Sequence, residues 1–381
     1  MTSGFTLSLD AMGGDHAPTM VVEGLKKAHV RYPAVRYLLF GDQARLSPLV
    51  DKAGLGEVTE IVHTDQAVSN DDKPSQVLRR GRQTSMWLAI EAVKEGRAAG
   101  VVSAGNTGAL MALAKFQLRT LPGIDRPAIA SLMPNIRGES VMLDLGANTE
   151  CDANNLIEFA IMGEVFARVL LGLERPTIAL LNVGSEDLKG TEALRQAANT
   201  LREESDLSLD FKGFVEGDDL GKGTVDVVVT DGFTGNVALK SVEGTARLYS
   251  SYLREAFASS LVAKLGYLLA SRALHKVRMR ADPRRYNGAM LLGLNGIAVK
   301  SHGGTDALGF ANAVGVAIDL ISQGLNDRIR EEFRHLHAPH GEVGPELGNS
   351  SKLGENSKVI PGPGAEPRVA AAGSERKAAE R

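Results

Sequence analysis

Val101-Val102-Ser103-Ala104-Gly105-Asn106-Thr107-Gly108-Ala109-Leu110-Met111 carries the chain from a short apolar run, through a small polar turn, into a helix-patterned segment. A β-branched run without alternation suits a strand covered on both faces. The turn is built from residues that tolerate tight backbone and cap helices. Strand, glycine turn and helix in that order form the repeating unit of a parallel sheet wrapped by helices.

The unit recurs on both sides of this stretch. Strands are expected at Phe5–Leu9, Val35–Phe40, Val58–His63, Val101–Ser103, Ala128–Met133, Val141–Leu145, Thr177–Val183, Leu209–Phe214, Val225–Thr230 and Ile297–Lys300. Helical periodicity fills segments between them, among them Thr19–Arg31, Gln83–Glu95, Ala109–Thr120, Asn155–Leu171 and Gly190–Arg202. Composition agrees: 42 glycines in 381 residues, with only 5% aromatics, favour many strand-to-helix turns over an all-β sandwich. The expected fold class is α/β, a mainly parallel sheet wrapped by helices.

Two regions break the rhythm. Gly244 to Asp282 is helical without a strand, with Leu253, Phe257, Leu261, Leu265, Leu268 and Leu269 at helical spacing. It is also basic, with Arg254, Lys264, Arg272, Lys276, Arg278 and Arg280 against Glu255 alone between 251 and 280. A catalytic domain over 1–338, with a helical projection at 244–285, is the expected organisation. The segment 339–381 is too poor in large apolar residues to fold and is expected to be disordered.

The formal net charge of −3 gives no global attraction to nucleic acid, and no such partner is expected. A single cysteine, Cys151, excludes an internal disulfide and a cysteine zinc cluster. No apolar stretch reaches the roughly 18–20 residues of a membrane span, and Met1–Asp10 has no secretory signature. A cytoplasmic protein, able at most to touch a bilayer surface, is expected.

Four strands end in small polar turns: Asp10–Pro18, Ser103–Gly108, Asn182–Gly190 and Thr230–Asn236. Each offers glycine backbone beside hydroxyl or amide groups and precedes a helix, whose N-terminus favours an anion. Helix capping uses the same residue types, so each turn alone is ambiguous. Together, at the carboxyl edge of one sheet, they are expected to frame a cleft for a polar ligand. No turn reads as a nucleotide P-loop, a dinucleotide fingerprint, a nucleophile elbow or a zinc helix. An oxyanion site without cofactor or metal is expected.

Several of these stretches occur in order within a known pattern. They are Asp10-Ala11-Met12-Gly13-Gly14-Asp15-His16-Ala17-Pro18, Ser103–Met111, Leu180–Gly184, Val229–Asn236, Tyr286–Leu294 and Lys300-Ser301-His302-Gly303. From about Phe5 to Arg334 the chain resembles the PlsX family of bacterial phosphate acyltransferases. The resemblance implies a fold akin to phosphotransacetylases and isocitrate dehydrogenases. It implies transfer of an acyl group from acyl-[acyl-carrier-protein] to phosphate, giving acyl phosphate and free carrier for phospholipid synthesis. It also implies a homodimer.

Phosphate is itself a nucleophile and a thioester is an activated donor, so no covalent enzyme intermediate is required. The protein must aim phosphate and stabilise the oxyanion. Phosphate is assigned to Ser103, Asn106, Thr107 and the turn carrying Thr230, Gly232, Thr234 and Asn236, with Lys189 and Lys300 as nearby charges. Asn182 and Ser185 are expected to orient phosphate or the acyl carbonyl. Asp231 is expected to orient a lysine or amide, or to accept a proton from monobasic phosphate. His302 is either the general acid for the departing thiolate or a turn cap.

Asp10, Gly13 and Gly14 form one rim; Asp10 and Asp15 either cap and hold that turn or bind a metal, the former being preferred. Cys151 is not expected to be a nucleophile, having no activating neighbour in sequence. The basic helical stretch is read as a dimer seam with a tip that meets the acidic carrier, an anionic membrane or a downstream membrane glycerol-phosphate acyltransferase. Competing readings are a short-acyl coenzyme A phosphotransacetylase, an NADP-dependent decarboxylating dehydrogenase and a non-catalytic scaffold.

Overall fold

The apolar runs become strands and the 3.6-period segments become helices in the computed structural model, which describes residues 4–203, 209–280 and 282–336. In chain order the strands are β1 (Thr6–Asp10), β2 (Arg36–Gly41), β3 (Thr59–His63), β4 (Gly100–Ser103), β5 (Ala128–Asn135) and β6 (Gly138–Leu143). They continue with β7 (Thr177–Leu181), β8 (Asp210–Val215), β9 (Val227–Val229), β10 (Ala289–Leu292) and β11 (Ile297–Lys300). All ten expected strands appear with small shifts at their ends, and β10 is an addition. The segment 339–381, expected to be disordered, lies outside the described residues.

One sheet takes these strands in the order β3-β2-β1-β4-β11-β10-β5-β6-β9-β7-β8. The pairs β11–β10, β10–β5 and β5–β6 are antiparallel, and the other neighbours are parallel. The sheet is therefore two parallel blocks of opposite direction, joined through β10 and the β5–β6 hairpin. This corrects one expectation. The carboxyl ends of β1, β4 and β11 lie on one edge, whereas those of β6, β7 and β9 lie on the other. Four turns do not share one edge, because the hairpin at Asn135–Gly138 reverses the second block.

Both faces of the sheet are covered, which explains the unbroken apolar strands. In β4, Val102 joins a core with Leu7, Leu9, Phe159, Phe166 and Phe310, while neighbouring Val101 joins the opposite core with Trp87, Leu110 and Leu113. The helix Ala153–Leu171 starts with a capping box between Asp152 and Asn155 and stops at Gly172 in the left-handed region. Among the described residues no single helix is long and apolar enough to cross a membrane. A bent pair passes on composition, but Phe310, Val314, Ala317 and Leu320 of its first helix are buried core.

The strandless basic region is two helices, Gly232–Ala258 and Leu261–Arg280, so helix begins twelve residues before the expected Gly244. Asp231 caps the first helix through Thr234. Only Gly232 and Gly235 are buried in it, and no residue is buried in the second. The two meet where Phe257 stands edge-on to Tyr267, with ring centres 5.4 Å apart. Leu248, Tyr252, Leu253, Leu261, Leu265 and Leu269 all remain exposed.

Candidate active site

Asp10 ends β1 directly beside Ser103 at the end of β4. Both are buried because the strand ends are roofed by the turns that follow. Asp10 Oδ2 accepts the Ser103 hydroxyl at 2.7 Å, and Oδ1 accepts the Ser85 hydroxyl at 2.7 Å. Burial pushes the Asp10 carboxyl up from its ordinary value, opposed by the two hydroxyls and by the amides of Met12 and Gly13. A Cβ on Gly13 would stand 2.5 Å from Asp10 Oδ2 and 2.7 Å from the Gly105 amide, so only glycine lets the two turns meet. Asp10 acts here as an internal acceptor. Asp15 likewise accepts from Asn70 through Oδ1 at 3.0 Å, and its amide donates to Gly303.

Lys300 ends β11, the next strand, in register with Ser103. It is 9% exposed, and its ammonium donates to the carbonyls of Ala104 and Ser301. Burial pulls it down to about 8, while Asp10 and Asp15 hold it up and Lys240 opposes them. Lys300 therefore remains charged at neutral pH while being easily discharged. The buried Asn287 fastens the strand end, donating to Ser301 Oγ at 2.8 Å and accepting the His302 amide at 2.8 Å.

His302 follows, exposed, with Nδ1 accepting the Gly304 amide at 3.2 Å. That bond places the hydrogen of the neutral imidazole on Nε2. Burial, then Lys300 and Lys240, lower its basicity below the ordinary value. Lys240, Glu243 and Arg247 act on His302 from the helix Gly232–Ala258. Glu243 pairs with both Lys240 and Arg247.

Asn106 caps the helix Thr107–Leu118, accepting the Ala109 amide at 3.0 Å. Its amide nitrogen donates to the carbonyls of Asn70, Asp72 and Ser69, which pins the loop before Pro74 over this edge. Its side chain is thus occupied by protein. The exposed Thr107 opens the helix, and first-turn amides have no acceptor within the helix itself. An anion placed there meets helix amides and the positive end of the macrodipole.

The second edge has its own architecture. Asp144, after β6, accepts the amides of Ile129, Gly146 and Ala147 through Oδ1, and that of Asn148 through Oδ2. Its carboxyl is raised by burial against those donors. A Cβ on Gly235 would stand 1.9 Å from the Asp144 carbonyl, so the helix start and this loop touch backbone to backbone. Asn236 donates to the Leu145 carbonyl, and the Thr234 hydroxyl donates to Asp231. Asn182 donates to the Lys189 carbonyl and accepts the Val183 amide, closing its own loop. Ser185 and Lys189 are exposed on that loop. The buried Thr230 hydroxyl has no hydrogen-bond partner among the described residues.

The structure thus gathers Asp10, Gly13, Gly14, Ser103, Asn106, Thr107, Lys300 and His302 at one edge. It gathers Asn182, Ser185, Lys189, Thr230, Asp231, Gly232, Thr234 and Asn236 at the other. The helix Gly232–Ala258 links them, with about 16 Å of rise between Gly232 and Glu243 beside His302. Sequence reasoning gave no role to Ser85, Asn287, Asp144 or Lys240. Lys240 was readable, nine residues after a capping Asp231, had the helix been started at Gly232.

Cys151 is half-buried near the second edge, its thiol pushed up to about 12 by burial and by Asp144 and Asp231. Such a thiol stays protonated at neutral pH.

Residues 5–328 match the model of a family described as fatty acid synthesis protein. A phosphate acyltransferase of Paramagnetospirillum magneticum is 64% identical over 346 residues, covering 91% of this chain and 98% of the relative. A phosphate acyltransferase of Rhodospirillum rubrum is 67% identical over 334 residues, covering 87% and 95%. Among solved structures, a Streptococcus pyogenes phosphotransacetylase aligns with a TM-score of 0.55 at 18% identity, over 84% of this chain and 94% of that one. The EutD phosphotransacetylase of Staphylococcus aureus gives 0.53 at 17%, over 84% and 95%. These structural likenesses establish the α/β fold.

Proposed function

The chain belongs to the fatty acid synthesis protein family and is a phosphate acyltransferase, and from that premise we propose how its two edges divide the reaction. Phosphate sits at the first edge, between the Lys300 ammonium, the first-turn amides of the helix Thr107–Leu118 and the His302 ring. The observation that carries this reading is a nearly buried lysine, charged at neutral pH, at the strand end beside a capped helix start. Lys240 and Arg247 add positive field from across the cleft.

The donor is an acyl thioester on acyl carrier protein. A phosphate oxygen bonds to the thioester carbon, and the carbonyl oxygen takes up the negative charge. Collapse expels the thiolate, which gains the proton that hydrogen phosphate supplies in net, leaving acyl phosphate. His302, neutral in the free protein and bearing hydrogen on Nε2, donates a hydrogen bond to the developing charge; the neighbouring phosphate anion favours the imidazolium form, whose Nε2 proton passes to the thiolate and is replaced by that of hydrogen phosphate. The exposed Phe233 and Val237 offer apolar surface between the edges for the acyl chain. Thr230, Asn182, Ser185 and Lys189 belong to the donor side, and Asp231, Thr234 and Asn236 hold its frame.

The enzyme works in the cytoplasm as a homodimer, with the exposed leucines of Gly232–Arg280 as the surface available to a second copy or to a membrane. The test is acyl phosphate formation from acyl carrier thioester and inorganic phosphate without added metal. Exclusive use of short acyl coenzyme A would assign the phosphotransacetylase activity instead. No turnover of either donor would sink the reading.

A further inference from the structure

We propose that the helix pair Pro74–Arg80 and Thr107–Leu118, with Arg82 and Phe116 at its outer end, is the docking surface for the acidic carrier protein. The inference rests on the carrier reading above and places that partner away from the basic helices Gly232–Arg280.

Between Asp72 and Glu91 the chain carries Lys73, Arg79, Arg80 and Arg82 and no acid, and the helix Thr107–Leu118 adds Lys115 without an acidic residue. Arg79, Arg80, Arg82 and Lys115 are all exposed. Among the described residues none of the four forms an ion pair with a carboxylate, unlike Arg97, Arg126 and Arg202. Asp72, the acid that precedes this run, already accepts the Ser69 amide.

The cluster also has an apolar centre. Phe116 is 60% exposed and its ring centre lies 6.0 Å from that of buried Trp87. The Arg82 guanidinium sits over the same indole at 5.9 Å. An aromatic anchor ringed by basic side chains complements an acidic helix with one apolar spot: charges steer encounter, and the ring supplies a desolvated contact.

Position favours the carrier. The two helices start together, since a Cβ on Gly108 would stand 3.0 Å from Pro74, and that start is the phosphate edge. Thr107–Leu118 has 12 residues, so Phe116 lies within about 18 Å of the site, a span suited to a flexible thioester-bearing arm. A membrane surface asks for an extended apolar helix face, and exposed leucines recur along Gly232–Ala258 and Leu261–Arg280 instead.

The test uses the full chain carrying Arg79→Glu with Arg80→Glu, and separately Phe116→Ala. Initial rates are read against acyl carrier concentration at two salt levels, and anionic vesicle binding is measured alongside. The docking surface predicts a KM for the carrier raised about tenfold or more in the charge-reversed protein, kcat within about twofold, and a weakened salt dependence. Phe116→Ala should raise KM with kcat retained. An unchanged KM overturns the proposal, as does a KM shift produced only by reversing Lys264, Arg272 and Lys276. Vesicle binding lost with carrier KM intact assigns the patch to lipid and also overturns it. Absence of acyl phosphate formation by the unaltered protein is a different failure, that of the carrier reading itself.

Discussion

Ser103 donates its hydroxyl to Asp10 at 2.7 Å across two neighbouring strand ends, and the same carboxylate supports the charge on Lys300. The acid is buried, and its oxygens accept the Ser103 and Ser85 hydroxyls. It fixes a serine turn and stabilises a lysine proton. Asp10→Asn should therefore leave phosphate binding weaker and move the alkaline fall of kcat/KM to lower pH. A profile that keeps its alkaline limb in place would show that Asp10 only packs the turn.

Lys300 is expected to set that limb. Its ammonium is held down to about 8 by burial, so a rate needing the positive charge declines as pH rises through about 8. An exposed lysine would keep its proton past pH 10. Lys300→Arg should remove the limb, at a lower rate, because guanidinium does not discharge in this range. An identical limb in that variant would assign the titration to another group.

Gly235→Ala tests the backbone contact at the second edge. The added carbon would lie 1.9 Å from the Asp144 carbonyl, so the loop or the helix start must move. The expected loss is about 3 kcal/mol or more, read as a lower midpoint in denaturant unfolding. A wild-type midpoint would mean that the helix start shifts freely.

Arg168 pairs with both Glu164 and Glu332 of the helix Leu325–Leu336, and burial raises the Glu164 carboxyl to about 7 from 4.5. A raised carboxyl binds its proton more tightly in the folded chain. Its stabilisation is full below about pH 4.5 and is lost as pH rises through about 7. Glu164→Gln should cancel part of that decline, about 1 kcal/mol after allowing for partial exposure. Urea unfolding at pH 5 and pH 8 measures it; equal slopes in both proteins would rule Glu164 out.

Cys151→Ser should retain full turnover, since the thiol is held protonated. A rate collapse without loss of folding would restore a covalent mechanism.

Much of this was legible in the sequence. Apolar runs such as Val101–Ser103 marked the strands, and the turns at 10–18 and 103–108 marked one edge of the candidate site. β10 escaped because Ala289–Leu292 is only four residues long and follows a helical region. The separation of the two edges escaped for another reason. Strand runs carry no sign of direction, and the reversal depends on the short hairpin between Asn135 and Gly138. Ser85 and Asn287 escaped because their partners, Asp10 and Ser301, lie 75 and 14 residues away. Asn106 was read correctly as a polar turn residue, but its amide faces carbonyls of residues 69–72, which no spacing rule reveals.

The chain leaves the first block after β5 and re-enters it at β10, and those two strands are neighbours. The intervening stretch is thus a closed excursion of chain whose two ends are hydrogen-bonded to each other through β5 and β10. The strands that end at Ser103 and Lys300 complete their pairing without it, since β1, β2, β3, β4 and β11 pair only with one another and with β10.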